Sequence, residues 1–208
     1  MSAILPDFFP DLDACLAALP LKPPAGRAMS QDEFFVFCQQ NRKLRFERTA
    51  EGELILNPPV DLTSGIRIVA VASQLYSWTK AERNGTAFGS IVGYILSNKA
   101  NRSPVASWIS PKQMATITRV QMMKFIPLCP NFVVELVSLV NRLENLQRKM
   151  DEYLANGCQL GWLIDPDNKQ VYVYRPGQPV QVLDNPPTVS GDPELPGFVL
   201  DLDPVWQP

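Results

Sequence analysis

The chain has 208 residues, 46% hydrophobic and 19% charged, with a formal net charge of −2 and a pI near 5.2; that composition fits a globular domain with one sizeable core and excludes a protein that coats nucleic acid by global positive charge. There is no histidine, which removes the usual proton shuttle, the commonest metal ligand and every Ser-His or Cys-His nucleophile, and leaves catalysis to carboxylates, lysine and a metal. Cys15, Cys38, Cys129 and Cys158 are far apart with no C-x-x-C pair, so neither a zinc site nor a disulfide framework is expected, and a cytoplasmic location is.

The twenty prolines outline the layout. Residues 1–27 hold five of them and read as an arm with one short helix at 12–18; this start is unlike a secretory signal, and no apolar run is long enough to span a membrane. Residues 28–175 form the core of a single domain and residues 176–208 a proline-rich closing appendage with short strands at best. Within the core, Ser30 followed by Asp32 and Glu33 starts a helix running to about Gln40. Residues 44–48 and 53–57 alternate around Glu51-Gly52 as a hairpin, and residues 66–82 carry a mostly apolar helical stripe. Short strands follow at 86–89, 94–96 and 105–109, with residues 101–104 as a turn before the last, and residues 114–124 read as a helix. Residues 132–137 form an apolar strand, 142–156 a helix closed by Gly157, and 160–164 a second buried strand. This is a β-α-β crossover whose two strands lie parallel. Asp167-Asn168 turns the chain into a further strand at 171–174. The order predicts an α/β fold with a mixed sheet flanked by helices.

One residue stands out in that crossover. Glu135 interrupts an apolar strand, where an ionised side chain is costly unless something pairs with it. Lys149 lies on the following helix, so a carboxylate and an ammonium can meet at one end of a sheet and hold a divalent cation and a phosphate. The residues alone leave other readings open. Glu135 also reads as a structural carboxylate satisfied by Lys149 or by backbone amides. Lys149 sits at the edge of the stripe made by Leu143, Leu146, Met150 and Tyr153, where a lysine often lies along the surface. Glu47, flanked by Arg45 and Arg48, also reads as one half of a cross-strand charge pair. Asp165 reads as a turn residue at a strand end that could approach a metal.

The succession LRFERTAEGELILNPP, NRSPVASWIS, CPNFVVELVS and LQRKMDEYLANGCQLGWLIDPDNKQVYVYRPG resembles the Uma-two family of the PD-(D/E)XK nuclease superfamily, over about residues 34–199. The most specific part is V-E-x-x-S, then the K-x-x-x-Y helix, then W-L-x-D-P. The resemblance implies a restriction-endonuclease-like core and a magnesium- or manganese-dependent DNA endonuclease. It implies catalytic roles for Glu135, Lys149 and the hairpin glutamate Glu47, with Glu135 and Glu47 as metal ligands. The family's S-P-D aspartate is missing, because the chain reads Ser103-Pro104-Val105, and the P-D that opens the Glu135 strand is altered to Pro130-Asn131. With Val105 at the degenerate position, the metal is expected to bind weakly if at all, and cleavage to be slow or absent. The alternative is a non-catalytic nuclease-fold module that binds DNA or a protein partner. Arg45, Arg48, Lys99 and Arg102 are candidate DNA contacts if they converge on the Glu135 edge, and a homodimer is the expected assembly for a nuclease acting on duplex DNA.

Overall fold

The structure of the protein, a computed structural model, describes residues 28–138 and 142–208; the helix expected at 12–18 lies outside them. Helix α1 (Gln31–Gln40) begins at a reciprocal cap, in which Glu33 N donates to the Ser30 hydroxyl at 3.2 Å and Ser30 N donates to Glu33 Oε2 at 2.8 Å. Strands β1 (Arg45–Arg48) and β2 (Leu54–Asn57) form the hairpin, with Glu47 opposite Ile55. Its turn requires a left-handed residue, supplied by Gly52 at φ 96°, where an added Cβ would come within 2.6 Å of Ala28 Cβ.

Helix α2 (Leu62–Glu82) starts four residues before the expected Ile66. Asp61 caps it by accepting from Ser64 N at 2.9 Å and from the Ser64 hydroxyl at 2.6 Å, and Gly65 masks the first turn in the sequence pattern. Strands β3 (Thr86–Gly89), β4 (Tyr94–Ile95), β5 (Asn101–Arg102) and β6 (Ala106–Ile109) follow. Asn101 and Arg102, expected in a turn because they are polar, instead form β5 between β1 and β4, with Arg48 opposite Asn101 and Tyr94 opposite Arg102. The helix expected at 114–124 is also not formed. One turn, α3 (Pro111–Met114), is capped by Ser110, and a separate 3-10 turn (Gln121–Met123) is tied by Thr118, whose N–H donates to Gln121 Oε1 at 2.8 Å. The β-branched run Thr116-Ile117-Thr118 between them disfavours a continuous helix.

Strand β7 (Phe132–Leu136), helix α4 (Leu143–Ala155) and strand β8 (Leu160–Asp165) form the parallel crossover, with Glu135 opposite Leu163. The chain closes with β9 (Gln170–Tyr174), β10 (Gln181–Asp184), the hairpin β11 (Thr188–Ser190) and β12 (Val199–Asp201), and α5 (Asp203–Trp206). A six-stranded sheet runs β10-β9-β8-β7-β6-β3, parallel only between β7 and β8, and a four-stranded sheet runs β2-β1-β5-β4.

Alternation along β7 divides two cores. Phe132, Val134 and Leu136 pack toward α2 with Val71, Leu75 and Trp162, and the closing segment adds Leu195, Phe198 and Leu200 to that same core. Phe198 stacks on Trp162 at 5.7 Å between ring centroids and 17° between planes. Val133 faces the other way, into the cluster of Leu146, Met150 and Tyr153 on α4, with Tyr94 of the small sheet. Glu135 follows the same two-residue period toward α4. No helix among the described residues is long and apolar enough to cross a membrane.

Candidate functional site

Two sheets and one helix converge at the C-terminal end of β7. Glu135 arrives from the six-stranded sheet and Glu47 from the four-stranded one, both about as buried as core leucines, at 4% and 3% exposure. Lys149 on α4 reaches between them. Its Nζ lies 2.8 Å from Glu135 Oε1 and 2.8 Å from Glu47 Oε1. Tyr153, one helical turn further along α4, donates its hydroxyl to Glu135 Oε1 at 3.1 Å. Glu47 Oε1 also accepts the backbone N–H of Ser103 at 2.8 Å, and Glu47 Oε2 lies 3.4 Å from Arg102 Nη1. Arg102 in turn donates from Nε to Glu152 Oε2 at 2.5 Å. Glu47 therefore pairs with Lys149 and Arg102, not across its own hairpin, where its partner is Ile55.

Burial sets the electrostatics. Desolvation pushes the Glu135 carboxyl above its ordinary value; the Lys149 ammonium opposes that push and the Glu47 charge adds to it. At Lys149 desolvation disfavours the charged form, yet the Glu135 and Glu47 carboxylates together outweigh it and hold the ammonium above its ordinary value. The Tyr153 hydroxyl is driven far up by burial and by the same two carboxylates, so it serves as a donor.

The remaining candidate residues separate into two groups. Val105 lines the same narrow pocket, of about 70 Å³, as Glu135, Glu47, Lys149 and Arg45. It lies one step beyond Ala106, which pairs with Val134, so an acid at 105 would stand beside Glu135. Arg45 is exposed at this rim, its guanidinium donating to Ser90 O, and Arg102 is on the far side of Glu47. Arg48 and Lys99 are elsewhere. Arg48 is 4% exposed, lies over the Phe34 ring and donates to Met29 O, Ser30 O and Lys99 O; being buried and bound to carbonyls, it does not face the pocket. Lys99 is exposed on the β4–β5 turn at φ 76° and lines neither the pocket nor the cleft beside it.

Asn131, at the altered P-D position, and Asp165, of the W-L-x-D-P motif, both turn out structural. Asn131 lies four residues from Glu135 along β7, about 13 Å at 3.3 Å per residue, and there it accepts from Ser110 N at 2.8 Å and donates to Gln159 Oε1 at 3.2 Å. Asp165 accepts from Asn168 N at 3.2 Å and Asn168 Nδ2 at 2.8 Å, closing the β8–β9 turn. Glu152 was missed in the sequence, although Lys149, Glu152 and Tyr153 share one helical face by their i, i+3, i+4 spacing.

The pocket opens beside a cleft of about 530 Å³ in which the carboxylates Glu47, Glu53 and Glu152 balance the cations Arg102, Arg148 and Lys149. A hard divalent cation needs several oxygen ligands, and here an ammonium occupies the point shared by the two carboxylates while the third position carries an isopropyl group. Among the described residues no three His, Cys, Asp or Glu side chains gather as a metal site, and no buried polar atom of Glu47, Glu135 or Lys149 lacks a partner. The residues present do not fit a resident divalent ion.

The Uma2 family, described as "Putative restriction endonuclease", matches residues 31–203. Among solved structures, the crystal structure of a putative nuclease from Anabaena variabilis is similar over 86% of this chain and 97% of that one, with a TM-score of 0.68 and 23% sequence identity, a likeness of fold. No curated protein matches the chain.

Proposed function

The chain belongs to the Uma2 family, and from that membership we propose that it is a DNA-directed nuclease-fold protein with a degenerate cleavage site, one that engages the phosphodiester backbone at the Glu47–Lys149–Glu135 pocket and cleaves it slowly or not at all. The observation that carries this reading is the position of Lys149 Nζ, 2.8 Å from both carboxylates, with Val105 in the same pocket where the S-P-D motif would supply an aspartate.

Phosphodiester hydrolysis needs an activated water and neutralisation of charge at the scissile phosphate, work that magnesium or manganese performs when bound. In this chain the charge is left to Lys149 and Arg102, which can meet a phosphate at the mouth of the cleft once they loosen from Glu47 and Glu152. Loss of one preorganised electrostatic contact costs about 10²–10³ in rate, which supports slow turnover. The balanced cleft supports weak, non-specific DNA binding. The second reading, a non-catalytic module for DNA or a protein partner, is favoured by the same observation, because Glu135, Lys149 and Glu47 satisfy one another without a ligand.

Supercoiled plasmid incubated with the protein and manganese tests the proposal. Slow or absent nicking by the wild type, together with retention of the plasmid at low salt, is expected. Rapid nicking that Glu135→Ala abolishes would show an intact site, and failure to retain DNA at low salt would leave the protein-partner reading in its place.

A further inference from the structure

Helix α2 has a face that the rest of the described chain does not cover. Its inner side, Val71, Leu75 and Thr79, is buried against the six-stranded sheet and the closing segment. On the outer side Leu62 is 81% exposed, Ile66 43%, Val69 65% and Tyr76 59%. With Ser73 and Lys80, these residues follow one another at spacings of 4, 3, 4, 3 and 4, the alternation by which one helix seats along another. From Leu62 to Thr79 every exposed position is uncharged; Arg67, the one charged residue in that span, is turned inward to donate to Val205 O at 3.0 Å. Charges appear only at the two ends, Asp61 at the start and Lys80, Glu82 and Arg83 at the finish, a net of one positive charge there.

We propose that this face is a two-fold interface with a second copy of the chain, the two α2 helices packed antiparallel. An antiparallel crossing centred near Val71 puts Ile66 opposite the partner helix's tyrosine at 76, Val69 opposite its serine at 73, and Leu62 beside the aliphatic stem of its lysine at 80. It also brings Asp61 at the start of each helix to the other's finish, where Lys80 and Arg83 outweigh Glu82, and opposes the helix dipoles favourably. A parallel pairing would set like charges together at both ends. Gly65 provides an independent observation. It lies within a helix, where glycine costs about 1 kcal/mol relative to alanine, yet a Cβ added there meets nothing within 4 Å. Packing among the described residues gives no reason for a glycine at that position, and the close approach of a second helix does. One helix pair is smaller than the roughly 800 Å² per partner of a standard interface, so the dimer is expected to dissociate on dilution. This inference stands apart from the reading of the pocket.

Sedimentation velocity of the full chain over a concentration series tests it. The wild type is expected to pass from monomer to dimer as concentration rises. Val69→Glu, which sets two carboxylates near the two-fold axis, is expected to remain monomeric throughout with an unchanged thermal melt, and Met123→Glu, a charge placed on an exposed apolar residue elsewhere, to dimerise as the wild type does. A wild type that is monomeric at every concentration, a Val69→Glu variant that still dimerises, or a Met123→Glu variant that alone loses the dimer would each overturn the proposal.

Discussion

Lys149 and Glu135 are joined across 2.8 Å at a point where both are nearly out of water, with side-chain exposures of 14% and 5%. The ammonium is shared, since Glu47 lies at the same 2.8 Å on its other side. Glu47 also has Arg102 and the Ser103 N–H, so removing Lys149 leaves Glu135 as the poorly compensated buried charge, with the Tyr153 hydroxyl as its remaining partner.

Lys149→Met is expected to destabilise the fold by about 3–5 kcal/mol at neutral pH, the usual cost of breaking a buried ion pair from one side. The pH dependence follows from Glu135, whose folded carboxyl is held above its ordinary value by burial. A raised acid takes up its proton in the folded state first, so the stability gained from protonation is complete below the ordinary carboxylate range and lost as pH rises through the raised value. The penalty of Lys149→Met should therefore shrink as pH falls through the raised value toward the ordinary carboxylate range, as urea denaturation can measure. In the wild type the Lys149 contribution has the same sign at higher pH: its pKa is raised, so that contribution is present below the ordinary lysine value and lost only in alkali. A penalty that is flat or grows toward acid would count against the shared-cation arrangement.

Val105→Asp is expected to place a third acidic group beside Glu135. Without metal it should lower the melting temperature, because it adds a charge beside a buried carboxylate. With manganese it should bind the ion at least about tenfold more tightly than the wild type and accelerate plasmid nicking. Isothermal titration reads the first effect. No gain in affinity would mean that residue 105 does not reach the Glu135 end of the sheet.

Glu152→Gln releases one of the two carboxylates that hold Arg102. The freed guanidinium should raise affinity for a DNA duplex at low salt and steepen the dependence of log K on log salt by about one unit. Fluorescence anisotropy over a salt series measures both. An unchanged slope would exclude Arg102 from phosphate contact.

Phe198→Ala is expected to cost about 3–5 kcal/mol, since Phe198 stacks on Trp162 within the main core. Its exposed neighbour Val199 should tolerate alanine within about 0.5 kcal/mol. Equal, small effects at both positions would mean that the closing segment does not contribute to the core.

The sequence made some of this arrangement legible and hid the rest. Glu135 is conspicuous because a charge among Val133, Val134 and Leu136 violates local expectation, whereas helical spacing puts Lys149 only at the edge of an apolar stripe and its role follows from the family resemblance. Ser103 left no signal, since its backbone N–H is brought to Glu47 by the pairing of β5 with β1, a long-range event that polarity along the chain does not encode. Asn101 and Arg102 read as a turn for the same reason: strand pairing overrode local preference. Arg48 reads as a surface base but is buried, because backbone carbonyls from three separate residues replace the water its two Nη groups give up, while its Nε stays without a partner.

Glu47 and Glu135 are carried by different sheets and meet only through one side chain of α4. That side chain therefore acts as a latch: the small sheet cannot swing away from the large one without opening it. Breathing of the cleft and dissolution of the charged cluster become a single mechanical event, and any ligand that prises the sheets apart must compete for this ammonium and for the Arg102 guanidinium held by Glu152.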